Sequence, residues 1–206
     1  MPTDRSHSVL EKPFSQACEN NQQAIFAVLE RAFAEAQEVL EIGSGTGQHA
    51  SYFAPRLPHL CWQTSDQAQY HPGIKAWVEA SSAPNLRPPL LLNVDMPDWP
   101  IAEVDAVFSA NTCHIMGWAS VENMFRKLAD VLAAGGILAI YGPFNYEGQY
   151  TSQSNANFDQ WLKQRGAQQG IRDFEAVDQL ARAAGMSLLE DNAMPANNRL
   201  LVWRKG

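Results

Sequence analysis

The chain has 206 residues, 46% of them hydrophobic, and a formal net charge of −7 with a pI of about 5.2. That is enough apolar material for one sizeable core, while the acidic balance excludes a general affinity for nucleic-acid phosphates, which is built on Lys/Arg patches. Three cysteines (Cys18, Cys61, Cys113) without paired or Cys-x-x-Cys spacing indicate neither a disulfide framework nor a zinc site.

Met1 to His7 shows no charged segment leading into an apolar stretch, and no later run approaches a membrane span, so a soluble cytosolic protein is expected. Asn20 or Asn21 is expected to cap a first helix with Ile25, Val28, Leu29, Ala32 and Phe33 on its apolar face. Val39, Leu40 and Ile42 then read as a strand covered on both faces, ending in the turn Glu41-Ile-Gly-Ser-Gly-Thr-Gly47. Gly43, Gly45 and Gly47 remove the side chains that would hold a ligand off the backbone. A dinucleotide fingerprint G-x-G-x-x-G would place its third glycine at position 48, which is Gln48, and no Gly-Lys-Ser/Thr follows for a phosphate loop.

A helix from Gln48 stops near Pro55, and a second strand, Leu60 to Ser65, ends at Asp66. Asp66 lies 23 residues after Gly43, close to the offset of a ribose-binding acid in a βαβ unit. Pro72 opens a helix with Ile74, Trp77 and Val78 facing inward. Leu90 to Val94 reads as a third strand ending at Asp95 and Met96, and Val104 to Ser109 as a fourth that leads into Ala110 to Met116. Asp98 is read as part of a turn and Asp105 as a solvent-facing strand position. Val121, Met124, Phe125, Leu128, Val131 and Leu132 mark an amphipathic helix, ended by Gly135 and Gly136 before the strand Ile137 to Tyr141.

Residues 142–172 differ in character, being rich in Asn, Gln and Ser, with a short helix expected to carry Phe158, Trp161 and Leu162 on one side. Following the carboxyl end of a strand, this stretch is expected to be a substrate-covering insertion. Asp173 caps a helix bearing Val177, Leu180 and Ala184 and ended by Gly185; the strands Met186 to Glu190 and Arg199 to Arg204 follow, joined by a loop from Asp191 to Asn198. With no helix between them the last two strands are antiparallel. The expected fold is α/β and Rossmann-like, a seven-stranded, mostly parallel sheet with one antiparallel strand and helices on both faces, in a single domain over residues 1–206.

The glycine turn with Glu41 before it, followed by Asp66 and Asp95 after successive strands, resembles the class I S-adenosylmethionine (SAM) dependent methyltransferases. The resemblance implies that Glu41, Gly43, Ser44, Gly45 and Gly47 shape the methionine end of a SAM site, that Asp66 accepts from the ribose, and that Asp95 and Met96 take the adenine. Asn111 and His114 would line the pocket beside the methionine portion. With Ser15 to Asn21, Trp62 to Asp66, Tyr141 to Phe144, Arg172-Asp173 and Met194 to Asn198 added, the chain resembles the methyltransferase-like protein 26 family over nearly its full length.

The activity so implied is methyl transfer from SAM to a small-molecule or peptide acceptor, with S-adenosylhomocysteine as product. The alternative is a SAM-binding regulatory or scaffolding protein without turnover, and a weaker one is an oxidoreductase binding NAD or a nucleotide sugar. His114 and Tyr146 are the candidate catalytic groups, and Asn197 or Asn198 could touch substrate. The Asn-Pro-Pro-Tyr signature of amino-methylating DNA and glutamine enzymes is absent, and His7, His59 and His71 are scattered, so no metal is expected.

Overall fold

The computed structural model describes residues 12–206; the segment Met1 to His7 read above lies outside the described residues. The first helix, α1, spans Gln16–Ala32. It starts earlier than Asn20 because Ser15 caps it, the Ser15 hydroxyl accepting from the Cys18 N–H at 3.4 Å. Asn21 is instead a buried mid-helix residue. Strand β1 (Glu38–Ile42) and helix α2 (Gln48–Phe53) flank the glycine turn, and a single 3₁₀ turn with Pro55 ends α2 as its ring requires. Strand β2 (Cys61–Asp66) and helix α3 (His71–Ala80) follow.

Strand β3 runs over Leu86–Leu91 rather than Leu90 to Val94, so Asp95 sits on a turn beyond the strand. Pro88 and Pro89 fall inside it, tolerated because β3 is the edge of the sheet and one side of its backbone needs no partner. Strand β4 (Val104–Ala110) starts at Asp105's neighbour, and Asp105 is engaged rather than solvated: its Oδ2 accepts from the Gln37 and Glu38 N–H groups at 2.9 and 3.0 Å. Helix α4 (Trp118–Val131) buries the expected apolar face, and strand β5 begins already at Leu132 and runs to Gly142. Its register against β4 slips between Leu132 and Ile137, where Gly135 and Gly136 make the bulge.

The segment after β5 forms the two-residue strand β6 (Phe144–Asn145), helix α5 (Gln153–Arg165) and the two-residue strand β7 (Arg172–Asp173), with β6 and β7 paired in parallel. The buried face of α5 is Asn155, Asp159 and Leu162, while Trp161 is exposed. Polar residues face inward there because Asp159 takes the Ile171 N–H, the Tyr150 hydroxyl and Lys163. Helix α6 (Phe174–Ala183) and strands β8 (Met186–Met194) and β9 (Asn198–Lys205) complete the chain, β8 continuing through what was expected to be loop to leave a turn of only Pro195–Asn197.

The large sheet has the order β3-β2-β1-β4-β5-β9-β8, with β9 antiparallel to both neighbours and the other pairs parallel. Successive β1 residues feed two cores: Val39 packs with Ile25, Leu29, Phe53 and Trp62 under α1 and α2, while Leu40 and Ile42 pack with Phe125, Leu128 and Val177 under α4 and α6. This is the Rossmann-like methyltransferase fold. From β1 the order runs one way to β2 and β3 and the other way to β4 and β5, so the crevice outside the carboxyl ends of β1 and β4 is the ligand position that the topology creates. No helix among the described residues is long and apolar enough to cross a membrane.

Candidate active site

A cavity of about 470 Å³ opens at that crevice. Its floor is the glycine turn. A Cβ on Gly43 would stand 2.5 Å from Thr112 Cγ2, and one on Gly47 2.9 Å from the Ile74 backbone, so these two glycines serve close packing of the turn against its neighbours. Gly45 is different, since a Cβ there would meet nothing and would project into open space at the cavity. Gly43 and Gly45 line the cavity; Gly47 and Ser44 do not figure among its lining residues.

Glu41 is buried beneath the turn at 2% exposure, where its Oε2 accepts from the Ser44 hydroxyl at 2.8 Å and from Trp62 Nε1 at 3.2 Å. Ser44 Oγ in turn accepts from the Ser65 N–H, tying the turn to β2. Burial pushes the Glu41 carboxyl up to about 7, against the two hydrogen bonds that favour its ionised form. Glu41 therefore braces the glycine turn through Ser44.

Asp66 lines the cavity at the end of β2, its Oδ2 accepting from the Gly45 N–H at 2.8 Å and its Oδ1 from the Gln67 N–H at 2.7 Å. Burial raises its pKa while those two N–H groups work the other way. Each oxygen keeps a lone pair for a diol. Asp95 also lines the cavity, with its carboxylate held by the Ser120 hydroxyl and Asn123 Nδ2, both at 2.8 Å. Met96 is turned away into the core under α4, its sulfur taking the Asn93 N–H, so Leu92, Asn93 and Val94 supply the wall where Met96 was expected.

Asn111 lines the cavity with a left-handed backbone (φ 59°), a conformation Asn tolerates. The Asn111 to Met116 loop is clamped from the far side by Arg172, which donates from Nε to the Cys113 carbonyl at 3.0 Å and from Nη2 to the carbonyls of Met116 and Gln168. His114 lies within this clamp at 4% exposure, edge-on to Phe158. Burial, with Arg172 adding, lowers its pKa to about 4. It is absent from the cavity lining. Tyr146 is also elsewhere: its hydroxyl donates to Asp191 Oδ2 at 2.8 Å and its ring stacks on Phe174, so it ties the insertion to β8, and burial with the Asp191 carboxylate raises its pKa. No residue of 142–172 lines this cavity; Arg172, at the end of this segment, supports the Asn111 to Met116 loop from behind.

One wall of the cavity carries no sequence motif. Ser15 and Cys18 of α1, Tyr70 and His49 line the cavity. Gln48 puts α1 there, its Oε1 accepting from the Ser15 N–H at 2.9 Å and its Nε2 donating to Glu19 at 3.3 Å. The signal was polar residues where a helix core wants apolar ones, at Asn21, Gln22, Gln48 and His49, all of them buried. Asn197 and Asn198 close the β8–β9 turn, Asn197 bonding Asn155 and Ser154 of α5, and neither lines the cavity. Among the described residues no group of three His, Cys, Asp or Glu side chains could hold a metal ion.

A family model described as "Protein of unknown function (DUF938)" matches residues 12–205, the whole of the described fold but its last residue. The chain belongs to the DUF938 family. Solved structures similar to this DUF938 chain include an O-methyltransferase family protein from Burkholderia thailandensis (TM-score 0.79, 17% identity, covering 90% of this chain and 56% of that one). SibL, described as an S-adenosylmethionine-dependent methyltransferase, gives 0.76 at 18% identity, covering 92% and 55%. PigF, solved with S-adenosylhomocysteine (SAH), gives 0.72 at 17%, covering 88% and 61%. The DUF938 chain thus spans little more than half the length of these proteins, and the likeness is one of fold.

Proposed function

We propose that this DUF938 protein is a SAM-dependent methyltransferase acting on a small-molecule acceptor. The observation that carries the reading is the placement of Asp66: a carboxylate at the end of β2, braced by the Gly45 N–H and still able to accept from a diol, beside a turn whose Gly45 face is open. The residues fit the cofactor. Gly45 leaves room for its backbone approach, Asp66 takes the ribose hydroxyls, Asp95 with Asn93 and Val94 takes the adenine, and Asn111 with Thr112 lies along the methionine portion. SAM supplies an activated methyl on a cationic sulfur; the protein's part is to bind, orient and exclude water.

The small-molecule part of the reading is supported by MmcR, a mitomycin 7-O-methyltransferase of the same fold, which is named for such an acceptor. Kinship with the methyltransferase-like protein 26 family rests on the motifs quoted above, and a cytosolic location on composition. The reading without turnover shares this cofactor site, so it is separated only by detection of SAH formed from SAM with a metabolite extract.

The test is calorimetric titration with SAM, SAH and NAD. Binding of the two sulfur nucleosides and not NAD is expected, and Asp66→Ala should weaken SAM by more than about 1 kcal/mol, the scale of a charge-assisted hydrogen bond. Unchanged affinity in that variant, or binding of NAD alone, overturns the reading.

A further inference from the structure

The cavity wall contributed by α1 and the start of α2 contains an oriented imidazole. His49 is 5% exposed, stacked on Phe53 with ring centroids 5.4 Å apart and edge-on to Phe108. Its Nε2 lies 2.7 Å from Oδ1 of the buried Asn21. An amide oxygen only accepts, so Nε2 carries the proton and Nδ1 keeps its lone pair. Asn21 also neighbours the Tyr141 hydroxyl, which it helps to hold against the upward shift that burial gives that phenol. Nδ1 faces Cys18 Sγ at 3.9 Å, and both residues line the cavity.

The sheet order gives this cluster its place relative to the nucleoside acids. Asp66 ends β2, while Tyr141, beside Asn21, is near the end of β5. Between β2 and β5 lie β1 and β4, so the two ends of the crevice are separated by three strand spacings, roughly 14 Å. That is the scale of an extended adenosyl amino acid, and it puts His49 away from the adenine end. His114, by contrast, faces Phe158 and Arg172 outside the cavity lining.

We propose that His49 Nδ1 is the proton acceptor for a neutral hydroxyl, thiol or amine substrate, with Asn21 as the positioning residue that sets its tautomer; the role rests on the methyltransferase reading above. In the step, a lone pair of the acceptor atom forms the bond to the methyl carbon, the carbon–sulfur bond breaks with its electrons remaining on sulfur, and the acceptor's proton moves to Nδ1 and then to water. The positive charge leaves the sulfonium as it arrives on the imidazolium, so the net charge of the cavity is constant. Desolvation lowers the His49 pKa to about 4, and the transfer buries no charge beyond the one the sulfonium already carried.

Cys18 is a resident proton donor at the same nitrogen and serves as the reporter. Burial raises its thiol pKa, so its alkylation depends on a neighbouring base. Iodoacetamide labelling at neutral pH, followed by peptide mass spectrometry, is expected to modify Cys18 about tenfold more slowly in His49→Gln, with Cys61 as an unchanged internal control. SAH affinity of the variant should stay within about two-fold, a change of well under 1 kcal/mol. In wild-type protein labelled with ¹⁵N-histidine, long-range nitrogen–proton correlation should show His49 as the Nε2–H tautomer, and Asn21→Ala should mix the tautomers. An Nδ1–H tautomer, an equal Cys18 rate in His49→Gln, or a loss of SAH affinity beyond about tenfold, which would assign the ring to the cofactor, overturns the proposal. If His49→Gln does not fold, the wild-type tautomer decides. Failure of the wild type to bind SAM or SAH sinks the methyltransferase reading instead, and is recognised by occurring without any change in tautomer or Cys18 rate.

Discussion

Gln48 Oε1 accepts the backbone N–H of Ser15 at 2.9 Å, so the residue that spoils the dinucleotide fingerprint is the one that docks the first helix beside the cavity. The same side chain reaches Glu19 through Nε2. Gln48→Leu keeps the volume and removes both bonds, leaving the Ser15 N–H without its acceptor. A loss of about 1–2 kcal/mol in urea unfolding is expected, with weaker SAM binding because Ser15 and Cys18 line the cavity. Unchanged stability and affinity would detach α1 from the site.

Gly45 and Gly47 should separate binding from folding. Gly47→Ala places a Cβ within 2.9 Å of the Ile74 backbone at φ +86°, so it should lower stability by about 2 kcal/mol or more. Gly45→Ala meets no protein atom, and its positive φ costs only about 1 kcal/mol. Its methyl group should instead obstruct the cofactor. Thermal melts and SAM titration of the two variants, run side by side, check the contrast.

Glu41 makes stability depend on pH. Its folded pKa of about 7 exceeds the ordinary value of 4.5, so the folded chain retains a proton that the unfolded chain releases between those values. Stability attributable to Glu41 is therefore present in full below pH 4.5 and is lost as pH rises to 7, by about 3 kcal/mol. Glu41→Gln keeps an acceptor for Ser44 and Trp62 and cannot ionise. The difference in unfolding free energy between variant and wild type should thus grow in the variant's favour from acid to neutral pH, and a flat difference would show that Glu41 stays ionised.

Tyr146→Phe should cost about 1–2 kcal/mol of stability, because Asp191 loses a donor, and leave SAM affinity unchanged. The phenol was a plausible base from its position after β5, yet it serves the join between insertion and sheet. A large fall in SAM affinity would place it at the cavity after all.

The two acids that were legible in the sequence fared differently. Asp66 was read from its offset after Gly43, and it lies in the cavity because the first βαβ unit is local and its geometry is fixed by a few residues. Asp95 reaches the cavity too, though from a turn, since the strand before it pairs from Leu86 and not from Leu90. Two prolines hid that strand: they argue against a central strand, and only the sheet order shows β3 to be an edge.

The sequence by itself determined the alternation of strands and helices, the reversed last strand, the glycine turn and the buried face of α4, because each rests on periodicity or on backbone demands that neighbouring residues meet alone. Only the tertiary structure decided which polar residues share the cavity. His114 and His49 are equally plausible as isolated histidines, and what separates them is that long-range packing sets one edge-on to Phe158, while α1, crossing the sheet end, sets Asn21 and Cys18 on the two nitrogens of the other. Contacts between residues 28 and 31 positions apart leave no local pattern, since they are made by the docking of whole elements and not by the spacing within one.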